Sequence, residues 1–146
     1  MISNNIYKNI VQNIPVMTVD ILLISNDKKK ILLFKRENKP AKKLYYTSGG
    51  RLHKNELMID CCIRKTKEEL GINIKKKDLK FCGIVEEIFN DSIYENVNAH
   101  FICGVYLYIF DNKKIKLDNQ HSLLKWFNID DINLHENIKN RLNLIK

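Results

Sequence analysis

The residues best suited to chemistry lie between Gly49 and Ile72. A glycine pair, Gly49-Gly50, is followed by Glu56, Arg64, Glu68 and Glu69, and Gly71-Ile72 ends the segment. A loop carbonyl and helix carboxylates can converge on a hard divalent cation, which prefers oxygen ligands and bridges well to a diphosphate. Lys65 and Glu69 are four apart and share one helical face. A helix carrying ordinary Lys–Glu pairs has the same appearance, so the helix by itself leaves both readings open. The arginines sharpen the choice. Of 25 basic residues only Arg36, Arg51, Arg64 and Arg141 are arginine, against 21 lysines. Lysine together with abundant Asn and Ile suggests a codon bias toward A and T, with lysine as the default solvated residue. Arginine offers a planar fork that grips phosphate or carboxylate at two points, which lysine cannot copy. Three of the four arginines fall in or just before this segment, where geometry matters, unless chance put them there.

Particular elements must hold these groups. Val16 to Ser25 is a predicted strand, Asn26 to Lys29 a turn, and Lys30 to Lys35 its hairpin partner. A loop from Arg36 to Lys43 leads to a short strand, Leu44 to Thr47, after which Gly49-Gly50 breaks the chain. Asn55 caps a helix from about Glu56 to Leu70, closed by Gly71, with Ile59, Cys62, Ile63, Thr66 and Leu70 as its buried stripe. Strands near Leu79 to Phe89 and Ala99 to Phe110 follow, joined by a polar loop. A last strand, Leu123 to Phe127, precedes a helix from roughly Leu134 to Leu144. Hairpins and outnumbering strands predict an α/β domain with a mixed sheet and helices packed on it.

The whole-chain arithmetic agrees. At 146 residues, 45% hydrophobic and 29% charged, the chain makes one domain, 1–146, with a real core. Its apolar stretches fall short of a bilayer span, and Met1 to Asn13 is too polar for a signal peptide. A cytoplasmic chain is expected, with no membrane partner. Cys61, Cys62, Cys82 and Cys103 form no CxxC pair and read as reduced core thiols. The net charge of +8 comes largely from lysines in turns, so no nucleic-acid partner is expected.

The segment resembles the Nudix box, GX5EX7REUXEEXGU with U a bulky aliphatic residue. Gly50, Glu56, Arg64, Glu68, Glu69, Gly71 and Ile72 match in register, while Lys65 and Thr66 replace a glutamate and an aliphatic residue. A defect at the box glutamate is similar to that of the GDP-mannose mannosyl hydrolases. The likeness extends to Lys35-Arg36, Asn38, Pro40-Ala41, Gly49-Gly50-Arg51 and Asp118-Asn119-Gln120-His121 followed by Trp126. It spans about Pro15 to Leu134. Three departures stand out. Glu68 keeps an acid where the subfamily has a small residue, Leu124 replaces a tyrosine, and Ser48 replaces a proline, which is expected to loosen the glycine loop.

The resemblance implies a Nudix fold, a mixed β-sheet packed between α-helices, and hydrolysis of GDP-mannose or GDP-glucose. Mg2+ would be held by Gly49, Glu69 and Gln120 together with the substrate diphosphate. His121 would be the general base, a role that suits a neutral imidazole. Arg36 and Arg51 would help the diphosphate leave, and Asp20 and Arg64 match other active-site positions. Water would attack the anomeric carbon with inversion and release GDP. The partner would be a GDP-sugar, with a homodimer left open. Two alternatives remain: a pyrophosphohydrolase cutting a P–O bond with Glu68 and Glu69, or a non-catalytic Nudix-fold binding domain. His121 could also be an idle loop histidine and Asp20 a solvated strand residue. His53, His100 and His135 read as structural or solvated, and Tyr45, Tyr46 and Trp126 as core aromatics.

Overall fold

A computed structural model describes residues 1–110 and 121–146, and for 121 and 122 the backbone alone. The strands are β1 (Val16–Ser25), β2 (Lys30–Arg36), β3 (Tyr45–Tyr46), β4 (Ser48–Arg51), β5 (Lys80–Phe89), β6 (Ala99–Phe110) and β7 (His121–Asn128). The helices are α1 (Asn4–Asn13), α2 (Met58–Leu70) and α3 (Glu136–Asn143), with one 3₁₀ turn at Lys76–Asp78. All the strands join one mixed sheet. Strand β1 runs through its middle, parallel to β6 along its whole length and antiparallel to both β4 and β2 on its other side. Near its start it pairs with β4, Asp20 opposite Gly49, and near its end with β2, Leu23 opposite Leu32. Because β1 forks its partners, the chain opens a gap beside Asp20. No helix of the described residues is long and apolar enough to cross a membrane.

The pleat of β1 sends alternate side chains to opposite faces. Val19, Ile21 and Leu23 join a core with Cys61, Cys62 and Leu70 of α2. Leu22 and Ile24 join a second core with Ile138 and Leu142 of α3. Helices therefore cover both faces, as the mixed sheet with packed helices requires. Asp20 has the parity of Leu22, so it belongs to the α3 side, where it is buried and not solvated.

Several local expectations are corrected. Gly49-Gly50 does not break the chain but forms part of β4, because its backbone completes the ladder against Asp20 and Val19. Helix α2 starts at Met58, and Asn55 is no cap: it takes φ 65° one turn earlier, while Leu57 stands at the cap position without a side-chain bond. Gly71 does close the helix, at φ 69°, a conformation that favours glycine. Ile59 and Ile63 lie at the edge of the buried stripe, whose centre is Cys61, Cys62, Thr66, Glu69 and Leu70. Thr66 suits this core despite its hydroxyl, which donates to the Cys62 carbonyl at 2.7 Å. Cys82 is only half-buried, whereas Cys61, Cys62 and Cys103 are core thiols, and all four are free.

Helix α1 was not foreseen. Its signal is the spacing of Ile6, Tyr7, Ile10, Val11 and Ile14 behind the N-cap Ser3, hidden among asparagines. It matters because Tyr7 and Val11 reach the gap beside β4.

The Asp20–Gly49 pairing leaves no room for a side chain at residue 49. A Cβ there would lie 2.1 Å from Asp20 Oδ1 and 2.4 Å from the Val19 carbonyl oxygen. Gly49→Ala is expected to cost about 1–3 kcal/mol of stability, the ordinary range for overpacking. Urea denaturation of the variant against wild type measures it.

Candidate functional site

Where β1 parts from β2 and pairs with β4, a cavity of about 280 Å3 opens. Asp20, Arg36, Gly49, Arg51 and Glu69, five of the residues expected to act together, all line it. Arg64 does not. Gln120 lies outside the described residues, and His121 is described only by its backbone, which pairs with Arg36 across β2 and β7. That register brings His121 to the strand position opposite one of the cavity's cations.

Glu69 is 1% exposed, and its carboxylate is fully engaged. Oε2 accepts from the Ser48 hydroxyl at 2.5 Å and the Gly49 amide at 3.2 Å, and Oε1 pairs with Lys65 Nζ at 3.0 Å. Ser48 therefore tightens the glycine segment instead of loosening it: a proline could not supply the hydroxyl that ties β4 to α2. Lys65 also reaches Glu68 at 3.3 Å, and its stem packs over Gly50. Burial alone would disfavour the Lys65 charge, but Glu69 and Glu68 outweigh it and hold its pKa above the ordinary lysine value. The ammonium is thus a permanent positive charge at the point where the helix carboxylate faces the cavity.

Glu68 turns away from the cavity and is half exposed, bonded to Arg64 and Lys65. Among the described residues no group of three or more His, Cys, Asp or Glu converges as a metal cage. Hard oxygen donors are present in the Gly49 carbonyl and Glu69. They suit a divalent cation once the flexible Lys65 side chain swings off Glu69. The Cys61 and Cys62 thiols are no rivals for a metal, since burial pushes both up to about 12 and keeps them protonated.

Arg64 is committed to its neighbours outside the cavity lining. Its Nε and a terminal nitrogen grip Glu56 at 2.6 and 2.9 Å, and the same terminal nitrogen reaches the Arg51 carbonyl at 3.2 Å. Glu56 in turn accepts from the His53 amide at 3.0 Å. The fork therefore fastens the loop before α2 and fixes where Arg51 leaves β4. Arg51 then stacks its guanidinium over Tyr7 of α1, 4.5 Å from the ring centroid, and faces the cavity. Arg36 lines the same cavity, its Nε donating to the Pro40 carbonyl at 3.0 Å, and Lys39 lines it too.

Three residues that line the cavity were missed as site residues: Arg141, Glu87 and Tyr46. Arg141 of α3 is 1% exposed and donates to Asp20 Oδ2 from Nε at 3.1 Å and from a terminal nitrogen at 2.8 Å. Its other terminal nitrogen donates to Glu87 Oε1 and to the Asn137 carbonyl, and Tyr46 donates its hydroxyl to the same Glu87 oxygen. Burial opposes the Arg141 charge, yet Asp20 and Glu87 hold its pKa above the usual arginine value. The scarcity of arginine in a lysine-rich chain marks Arg141 as well as the other three. Glu87 was visible only as a charge inside an apolar strand.

The other histidines are structural or solvated, as expected. His100 pairs with Glu86 at 2.7 Å, His135 accepts the Asn137 amide at the start of α3, and His53 lies exposed in its loop. Tyr45 packs on Phe127, and Trp126 on Phe110, as core aromatics. Leu124 is exposed and pairs with Phe34 across β2 and β7.

The sequence pattern of the NUDIX domain family matches residues 15–146. The chain is 29% identical over 140 residues to the low-salt glycan biosynthesis protein Agl8 of Haloferax volcanii, covering 95% of this chain and 87% of that protein. The MutT NUDIX hydrolase structure from Burkholderia pseudomallei superposes with a TM-score of 0.73 at 21% identity, over 90% of this chain and 98% of that one. The NUDIX domain of Shewanella oneidensis NrtR, complexed with ADP ribose, gives 0.69 at 17% identity, over 99% and 97%. The two structural likenesses speak for the fold alone.

Two outcomes follow from this geometry. The Arg64 bond is the main reason Glu56 is held at a pKa of about 2, below its ordinary 4.5. A depressed carboxylate stabilises the fold fully above about pH 4.5 and loses that contribution as pH falls toward about 2. Glu56→Gln is expected to cost about 1–2 kcal/mol at neutral pH and to flatten that acid limb, read by denaturation at a series of pH values. Lys65→Met removes the ammonium that competes for Glu69, so Mn2+ should bind about tenfold more tightly, by calorimetry, than to wild type.

Proposed function

The chain belongs to the NUDIX domain family, a family of hydrolases, and from that membership we propose that it hydrolyses GDP-mannose or GDP-glucose to GDP and free sugar. One observation carries the reading. The second box carboxylate is replaced by Lys65, whose ammonium rests on Glu69 beside two cavity-lining arginines. A site with one buried box carboxylate and several cations suits holding a diphosphate as it departs, more than it suits a cluster of cations activating water at phosphorus. The likeness to a protein named for glycan biosynthesis points toward sugar-bearing substrates.

Gly49, Glu69 and Gln120 would hold Mg2+, which supplies charge neutralisation on the diphosphate oxygens when bound. Arg36 and Arg51 grip those oxygens and lower the cost of the charge gathering there. Arg64 keeps Arg51 in place through its carbonyl. Asp20 borders the diphosphate position through Gly49. His121 takes the proton of the attacking water. The new C–O bond forms at the anomeric carbon with inversion. The old one breaks, and its electron pair leaves on the β-phosphate oxygen of GDP.

Hydrolysis of GDP-mannose in heavy-oxygen water, with Mg2+, tests this directly. Label is expected in mannose. Label in a phosphate would instead mean P–O cleavage, the pyrophosphohydrolase alternative, and no turnover would point to a binding domain. His121→Gln should lower turnover about 10²–10⁴-fold and abolish the loss of rate in acid, because a protonated imidazole cannot accept a proton.

A further inference from the structure

Arg36, Arg51 and Lys39 line the cavity together with Asp20, Glu87 and Arg141. In the last three a single guanidinium is shared by a pair of carboxylates, which leaves that trio with one negative charge in excess. Arg141 and its neighbours satisfy only one oxygen of each acid. Asp20 Oδ2 takes both Arg141 donors and the Thr47 hydroxyl, at 2.6 Å, while Glu87 Oε1 takes Arg141 and the Tyr46 hydroxyl. No described residue donates to Asp20 Oδ1 or Glu87 Oε2. The Glu87 side chain is only 5% exposed, and it lines the cavity. A buried acceptor without a donor is costly unless a ligand or water supplies one.

We infer that Asp20 Oδ1 and Glu87 Oε2 form a subsite for the hydroxyl groups of a neutral sugar, which makes Glu87, set by Arg141, a specificity-determining residue. The inference rests on the GDP-sugar reading of the same cavity and deepens it. The excess negative charge of the trio disfavours a phosphate against Asp20 Oδ1 and Glu87 Oε2 themselves. A guanine edge presents adjacent N–H donors that match both oxygens of one carboxylate, whereas here each acid has a single oxygen to spare. Separate hydroxyls fit two separate acceptors. Position agrees, since Asp20 Oδ1 lies against Gly49, beside the Glu69 carboxylate. The group next to a diphosphate bound there is the sugar bonded to it. Phe89, Phe101 and Tyr46 line the same cavity, pack on one another and, through the Tyr46 hydroxyl, adjoin Glu87, so they offer apolar surface to the sugar's C–H groups.

Glu87→Gln is the discriminating variant. The amide can keep its accepting oxygen toward Arg141 and Tyr46 and replaces the spare acceptor by a donor. Asp20 still balances Arg141, so the fold should survive, and circular dichroism with thermal melting verifies it. Binding of GDP and of GDP-mannose is measured by calorimetry on metal-free protein in chelator, so that no turnover intervenes. Wild type is expected to bind GDP-mannose about ten- to hundredfold more tightly than GDP. The variant should bind GDP as wild type does and lose most of that increment. An increment that survives in Glu87→Gln overturns the inference, as does equal weakening of GDP itself, which would assign Glu87 to the base. A wild type that binds GDP-mannose no more tightly than GDP overturns it as well. An increment lost in the variant, alongside heavy oxygen found in phosphate, upholds the sugar subsite and rejects only cleavage at the anomeric carbon.

Discussion

One guanidinium, that of Arg141, joins the last helix to the sheet. From α3 it reaches Asp20 on β1 and Glu87 on β5, and it packs 5.0 Å from the ring centroid of Tyr46 on β3. Removing an ion from water is expensive, and a buried arginine persists only where its donors are met by carboxylates in good geometry. Here two acids and a backbone carbonyl meet them. Deleting one partner of such a group costs about 3–5 kcal/mol, because the remaining charge is stranded. The network therefore fixes α3 over the sheet and, by the same bonds, fixes which oxygens the cavity presents. Stability and site chemistry share the same atoms.

The second organising pair is Lys65–Glu69. A carboxylate 1% exposed needs a counter-charge, and in this chain an ammonium from the preceding helical turn provides it. Ser48 and the Gly49 amide complete the shell, so β4 is fastened to α2 at the glycine pair. Glycine is required there for closeness, not for an unusual backbone angle. The four-carbon stem of lysine makes this charge movable in a way that a second glutamate would not be. An external cation drawn to Glu69 would therefore have to displace Lys65, so the two are linked in the proposed site.

Arginine and lysine divide the labour throughout. Among the described residues most lysines are exposed, whereas Lys65 is partly buried and serves Glu69 as a point charge. Each arginine has a job that needs a fork or a flat face. Arg64 clamps Glu56 and the Arg51 backbone, Arg51 stacks on Tyr7, Arg36 is held by the Pro40 carbonyl, and Arg141 bridges two acids. Side chains fixed this way lose little further freedom when a substrate arrives, which is the physical meaning of a preorganised anion site.

Sequence alone determined the local and periodic features: β1 to the residue, the hairpin to β2, the C-terminal stop of α2 at Gly71, the mixed sheet with helices, and the family through its box. Those depend on short-range rules of spacing, turn chemistry and motif register. It also grouped Asp20, Arg36, Gly49, Arg51 and Glu69, which the fold brings to one cavity. What it did not determine is what pairs with what across long separations. Glu69 with Ser48, Asp20 with Arg141, and Glu87 with Tyr46 are separated by 21, 121 and 41 residues, and no local rule connects them. Whether Asp20 faces solvent or the site is not legible locally, because alternation cannot tell a central strand from a half-exposed one. Helix α1 escaped because its apolar stripe is too sparse to fold alone and gains its worth from packing near β4 and β6. The tertiary structure decided these points, because burial and charge pairing are properties of the assembled sheet and helices, not of any segment by itself.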